Sequence, residues 1–312
     1  MLRDAENKVL QDAFAETQSP PIEPSHPTEA ELLDRGSPIG KLIRHSGANL
    51  DTDQVARVIA HQKKLGLRFG EAAVALGLVS GDEVVHALSQ QYRYPYMPKD
   101  GQQKHADLVV ANRPFSPHAE VFRGIRAQLK MRVYTPGTPR RAIAVLSADD
   151  GEGKSYFAAN IAIAFSQLGG RTLLIDANLR KPRQHELFGI DNAIGLSTVL
   201  SGRSAVHLIH SVSDLPSLFV LPVGAVPPNP LELLEGSGFG LLFSDVLRKF
   251  DHVIVDTPAF RHGMDGPVVA AACGAALVVV RQGRTHLGAV QDLVATLSEN
   301  PAEVAGVIMN DI

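Results

Sequence analysis

The densest chemistry in the chain sits in nine consecutive residues, Ser147-Ala148-Asp149-Asp150-Gly151-Glu152-Gly153-Lys154-Ser155. They follow the apolar run Ala142–Leu146 and open a segment whose Phe157, Ile161, Phe165 and Leu168 recur at helical spacing. Between a strand and a helix, glycines let main-chain N–H groups converge on phosphate oxygens, and the helix N-terminus adds the positive end of its dipole. Lys154 then reaches the outer phosphates and Ser155 can ligate magnesium. On this reading Asp150, Gly151, Glu152, Gly153, Lys154, Ser155 and Tyr156 contact a nucleotide, and ATP with Mg2+ is the expected ligand pair. Two carboxylates complete the set: Asp176 ends the run Thr172–Asp176, and Asp256 ends residues 253–256, before Thr257-Pro258. At the carboxyl ends of parallel strands both face the ligand crevice. Asp256 is expected to hold magnesium through water, while Asp176 either polarises a nucleophile or ligates the metal. Lys154, Asp176 and Asp256 are therefore the catalytic candidates, and Ser155, Asp176 and Asp256 the metal candidates.

These groups need a scaffold that brings three strand ends to one edge. After Pro136-Gly137 the chain alternates short apolar runs with amphipathic segments. Ala142–Leu146, Thr172–Asp176 and the stretches 218–221, 253–256, 275–280 and 304–309 read as strands buried on both faces, which predicts an α/β fold with a mostly parallel, doubly wound sheet. Upstream, residues 1–36 are polar and proline-rich and are expected to form a disordered arm. Residues 37–98 contain a tandem repeat: Ile39-Gly40 and Gly47 recur as Phe69-Gly70 and Gly77, and Val55, Val58, Ile59 and Gln62 recur as Val84, Ala87, Leu88 and Gln91. Each copy reads as a short helix, a glycine turn and a longer helix, giving a small all-helical domain. A polar linker is expected over 99–116 and the nucleotide domain over 117–312. Near its start, Val121, Ile125 and Leu129 form one helical face, while Glu120, Arg123 and Arg126 line another that solvent alone could satisfy.

Composition narrows the partners. The chain has 312 residues, 45% of them apolar, enough for one substantial core and a smaller companion. A formal net charge of -3 with scattered Lys and Arg offers no broad basic face, so nucleic acid is not an expected partner. Cys273 has no second thiol to pair with and reads as a core residue. No apolar stretch is long enough to span a bilayer, so a cytoplasmic protein that reaches a membrane through a partner is expected.

The residues now resemble a known group, the bacterial tyrosine kinases of polysaccharide export and chain-length control, relatives of the MinD and ParA ATPases. The loop Ser147 to Ser155 resembles that family's Walker A motif. Leu173-Leu174-Ile175-Asp176-Ala177-Asn178-Leu179-Arg180 resembles its Walker A′, and residues 253–258 its Walker B. The stretch Leu221-Pro222-Val223-Gly224-Ala225-Val226-Pro227-Pro228-Asn229-Pro230-Leu231-Glu232-Leu233-Leu234 is similar to the segment between them. Glu120-Val121-Phe122-Arg123 is similar to an element that packs on a neighbour's nucleotide site in a ring, which makes Glu120, Arg123 and Arg126 interface residues. The resemblance also implies adenine contact by Asn310, a cofactor role for Arg180, and a membrane polysaccharide copolymerase as partner. Two departures stand out: Asp150 replaces the usual proline, and Asn178 replaces the second acid of Walker A′. The family's C-terminal tyrosine cluster is absent, the five tyrosines being Tyr92, Tyr94, Tyr96, Tyr134 and Tyr156. A tyrosine autokinase and a MinD-like ATPase switch therefore both remain open.

The tandem repeat resembles the N-terminal module of type II secretion and pilus ATPases. Some such modules bind cyclic di-GMP through paired Arg-Leu-Gly-type motifs, which would place Gly40, Arg68 and Gly70 at that ligand. The first copy here has Pro38-Ile39-Gly40 and lacks the arginine, so a plain protein-docking module is the competing expectation.

Overall fold

The computed structural model describes residues 50–81, 83, 84, 86, 87, 105–135, 137–203 and 207–311. The chain divides into two compact units, a helical one upstream and a larger one from residue 104 onward. In the upstream unit, α1 (Thr52–Leu65) starts at a reciprocal cap: Gln54 N–H donates to Asp51 Oδ1 at 2.7 Å and Asp51 N–H to Gln54 Oε1 at 2.9 Å. It stops at Gly66, whose φ of 67° is left-handed. The shorter α2 (Phe69–Ala75) leads through the turn at Gly77 to a further helical stretch entered by a Ser80–Glu83 cap. Val58, Ala72, Ala73, Val79 and Ala87 form the small core. This is the helix, glycine turn, helix pattern expected of the second repeat; Gly40 and the 1–36 arm lie outside the described residues.

The larger unit is built on a seven-stranded sheet of order β3-β4-β2-β5-β1-β6-β7. Its strands are β1 (Ala142–Leu146), β2 (Thr172–Asp176), β3 (His210–Val212), β4 (Leu215–Leu221), β5 (His252–Asp256), β6 (Gly274–Arg281) and β7 (Glu303–Asn310). All pairs are parallel except β3 with β4. The six expected strands are present: β1, β2 and β5 are buried at every position, and their interiors are apolar runs. The antiparallel edge strand β3 was not expected; it is three residues long, only Val212 is buried, and such a segment leaves no apolar run to read.

Helices close both faces: α3 (Val109–Asn112), α4 (Pro117–Arg132), α5 (Lys154–Ser166), α6 (Gln184–Phe188), α7 (Leu196–Leu200), α8 (Pro230–Glu235), α9 (Ser237–Lys249), α10 (Asp265–Cys273) and α11 (Leu287–Ser298). The central helix α5 buries Phe157, Ile161 and Phe165. Part of the stretch read as linker is packed on it. Leu108, Val110 and Ala111 are buried, and the buried Asn160 accepts from Val110 N–H at 3.0 Å and donates to Asp107 O at 2.8 Å. One buried side chain thus satisfies backbone groups that a solvated linker would leave to water.

At the amino end of β5, His252 lies against Tyr134 and Phe165, ring centroids 4.9 and 4.6 Å apart, with Nδ1 buried and unpartnered. Burial drives its pKa from 6.5 down to about 4. Between those values the unfolded chain binds a proton that the folded chain refuses. The contribution is therefore fully present above about pH 6.5 and lost as pH falls toward about 4. At about pH 5 the loss amounts to roughly 2 kcal/mol. Urea melts of the wild type and of His252→Phe, each at about pH 7.5 and 5, should show the wild type losing that much more than the variant; equal losses would contradict it.

Candidate active site

The phosphate loop begins where β1 ends. Ser147 Oγ donates to Asp149 O at 2.7 Å, and the turn after β5 adds two main-chain bonds, from Phe260 N–H to Ser147 O (2.9 Å) and Arg261 N–H to Ala148 O (3.1 Å). Gly151 and Gly153 take φ of 75° and 95°, a region closed to most side chains. At Gly153 the requirement is also steric, since a Cβ there would collide with the Asn310 amide. Asn310 Nδ2 donates to Glu152 O at 3.1 Å, so the end of β7 fixes the loop just before α5 starts. Glu152 is buried: it accepts from Asp149 N–H at 3.1 Å and from the Thr285 hydroxyl. Arg281 NH1 donates to Gly151 O at 3.1 Å.

Asp176 and Asp256 are paired residues of adjacent strands β2 and β5, both with no exposed surface. Asp176 accepts three main-chain N–H groups, Asn178 at 3.1 Å on Oδ1 and Arg183 and Gln184 at 2.9 Å on Oδ2. It thereby shapes the loop leading to α6. Burial pushes its pKa up, the neighbouring Asp256 charge adds to this, and the three N–H donors pull it back. Asp256 is also raised by burial, against the Ser155 and Gln184 side chains and the Lys154 charge. Gln184, itself buried, donates through Nε2 to Asp256 Oδ2 at 2.8 Å and Ser155 O at 3.1 Å. Burial lowers the Lys154 pKa, while Asp256, Asp150, Glu152 and Asp149 hold its charge in place.

These residues fit a magnesium nucleotide. Asp256 Oδ1 is buried without a hydrogen-bond partner, an arrangement that costs free energy unless a ligand completes it. Asp176 and Asp256 lie side by side and buried, and Lys154 acts on Asp256, so a divalent ion would add the positive charge that the pair of acids lacks. No group of three or more His, Cys, Asp or Glu side chains forms a metal cage among the described residues. Ser155 and Asp256 are the residues that would hold the ion, with Asp176 beside Asp256 on the adjacent strand. Bound there, the ion neutralises charge on the phosphates. The loop amides and Lys154 would bind phosphate, and Gln184 holds Asp256 in place.

The other expected residues fall in several places. Tyr156 is half-buried beside Phe122, ring centroids 6.0 Å apart. With Asn310, it lines a cleft of about 420 Å³ between α4 and the ends of β6 and β7. Arg180 is engaged inside the chain, its Nε and NH2 donating to the buried Asp265 at 3.2 and 3.1 Å. Glu120 is exposed and accepts from Arg123 at 2.7 Å; Arg123 also donates to Pro114 O, and Arg126 donates to Ala164 O at 2.6 Å. Arg68 and Gly70 belong to the helical unit. A Cβ at Gly70 would lie 2.5 Å from Val84 Cγ1, so close helix packing accounts for that glycine. Sequence reasoning missed Gln184, Arg261, His262, Asp265, Arg281 and Thr285, all from segments far from the loop in sequence and without a local motif.

A family model described as CobQ/CobB/MinD/ParA nucleotide binding domain matches residues 143–312. The tyrosine-protein kinase YwqD of Bacillus subtilis is 31% identical over 210 residues, covering 67% of this chain and 88% of that protein. Among solved structures, the chimerical protein CapA2B2 is 31% identical with a TM-score of 0.62 over 73% of this chain and 98% of its own. The kinase domain of the Escherichia coli tyrosine kinase ETK is 27% identical with a TM-score of 0.64, over 69% and 84%. No helix among the described residues is long and apolar enough to cross a membrane. With its phosphate loop, paired acids and parallel sheet arranged as described, the chain belongs to the CobQ/CobB/MinD/ParA nucleotide-binding family and, within it, to the bacterial tyrosine-protein kinases.

Proposed function

We propose that this chain is an ATP-dependent protein-tyrosine kinase that phosphorylates copies of itself or a partner while regulating the chain length and export of an exopolysaccharide. The observation that carries the catalytic part is the buried centre in which Lys154, Ser155, Asp176 and Asp256 meet, with Asp256 Oδ1 left unpartnered. A phenol with a pKa of about 10 must lose its proton as phosphorus is attacked. Asp176 is the acid for that role, because Asn178 stands in the second position and its Oδ1 accepts from Lys181 N–H at 3.1 Å. The family's work beside a membrane copolymerase supports a cytoplasmic protein held at the inner membrane by such a partner. Exposed Glu120 and Val121 on α4 support contact with a second copy, in a ring. Arg123 and Arg126 would shape that helix from behind.

The helical unit serves, on this reading, as a docking module similar to those of secretion and pilus ATPases. Cyclic di-GMP at Arg68 would rest on the exposed guanidinium of that residue alone.

A MinD-like switch that hydrolyses ATP without tyrosine transfer is the second reading, favoured by Asn178. Incubating the full chain with ATP and magnesium, then mapping phosphotyrosine by mass spectrometry, separates the two. The expected result is phosphate within Tyr92, Tyr94 and Tyr96, which lie outside the described residues. ATP hydrolysis with no phosphotyrosine on the chain or on a supplied tyrosine polymer would make it a switch.

A further inference from the structure

The phosphate loop carries its own electrostatic problem. Asp149, Asp150 and Glu152 oppose the single positive charge of Lys154 in a segment that must receive a polyanion. Glu152 is folded inward against Asp149 N–H and Thr285. The two aspartates are each met by a basic residue from the short turn after β5: Arg261 NH1 lies 3.3 Å from Asp149 Oδ1, and His262 Nε2 lies 2.7 Å from Asp150 Oδ2. The main-chain bonds from Phe260 and Arg261 to Ser147 and Ala148 set the two segments in register, so the pairs form side by side. Lys181 is a further cation near Asp150, at 3.8 Å and largely exposed.

Contacts this exposed, with side-chain accessibilities of 59% and 30% in one and 29% and 41% in the other, contribute little to stability. Their effect is on charge at the mouth of the site. We propose that Arg261 and His262 are positioning residues for the nucleotide. By engaging Asp149 and Asp150, Arg261 through its positive charge and His262 through the contact at Asp150 Oδ2, they offset the repulsion that these carboxylates would exert on a triphosphate, and so set the affinity of the loop. The inference rests on nucleotide binding at this loop and not on the identity of the phosphate acceptor.

The test is equilibrium binding of a fluorescent ADP analogue to the full chain with magnesium. Arg261→Ala and His262→Ala should each weaken binding by about tenfold, and the double variant should combine these losses. Because truncation could also loosen the loop, the deciding arm adds Asp149→Asn and Asp150→Asn to the double variant. Recovery of affinity to within about threefold of wild type supports charge cancellation. Two results overturn it: wild-type affinity in the double variant, or a loss that the two neutralising substitutions leave unrepaired. A wild-type chain that binds the analogue but yields no phosphotyrosine would refute the kinase reading and leave this inference standing.

Discussion

Lys154→Met is expected to cut ATP turnover by roughly a thousandfold while leaving the sheet folded. The lysine is 6% exposed and heads α5, where four acids surround its charge: Asp256, Asp150, Glu152 and Asp149. Methionine keeps the length and apolar stem, so the buried faces of β1 and α5 are undisturbed. What disappears is a cation at the outer phosphates and the counter-charge to Asp256. Without the lysine charge, which pulls the Asp256 pKa down, burial acts on that carboxyl with less opposition. A filter assay with labelled ATP measures the activity, and circular dichroism with urea melts measures the fold. Turnover within tenfold of wild type would remove Lys154 from the chemistry.

The second large effect concerns Asp256. Asp256→Asn keeps the shape and still accepts from Gln184 Nε2, now 2.8 Å from Oδ2, but removes the charge that a divalent ion requires. The magnesium concentration at half-maximal activity should rise by roughly ten- to a hundredfold, with nucleotide affinity in the absence of metal nearly unchanged. A magnesium titration at saturating ATP reads this directly. An unchanged midpoint would move the ion away from β5. Asp176 is not interchangeable with it, because both its oxygens are already held by main-chain N–H groups of 178, 183 and 184. Its first task is to build the loop.

The parts of this architecture written in continuous stretches of chain were legible before any coordinates. β1 is uniformly apolar, and β2 and β5 have apolar interiors, because both faces are covered, and the loop at 147–155 is a local device whose glycines and lysine act within a few residues of one another. Asp176 and Asp256 could be placed because each ends such a strand. The rest depends on tertiary placement. Gln184 reaches Asp256 from across the sheet edge, Thr285 reaches Glu152 from the segment after β6, and Asp265 holds Arg180 from α10. None of these has a spacing that sequence periodicity can register. The packed segment 108–112 was hidden for a related reason: it is short, and the side chain that anchors it, Asn160, is a polar residue on the otherwise apolar α5.

Tyr134 ties the segment after α4 to the sheet. Its hydroxyl points inward to Val253 O at 3.3 Å, and burial lifts the phenol above its ordinary pKa. Phosphate on that oxygen would break the bond to β5. Modification of Tyr134 would therefore cost the attachment of this segment to the sheet, which a tyrosine without such a bond would not.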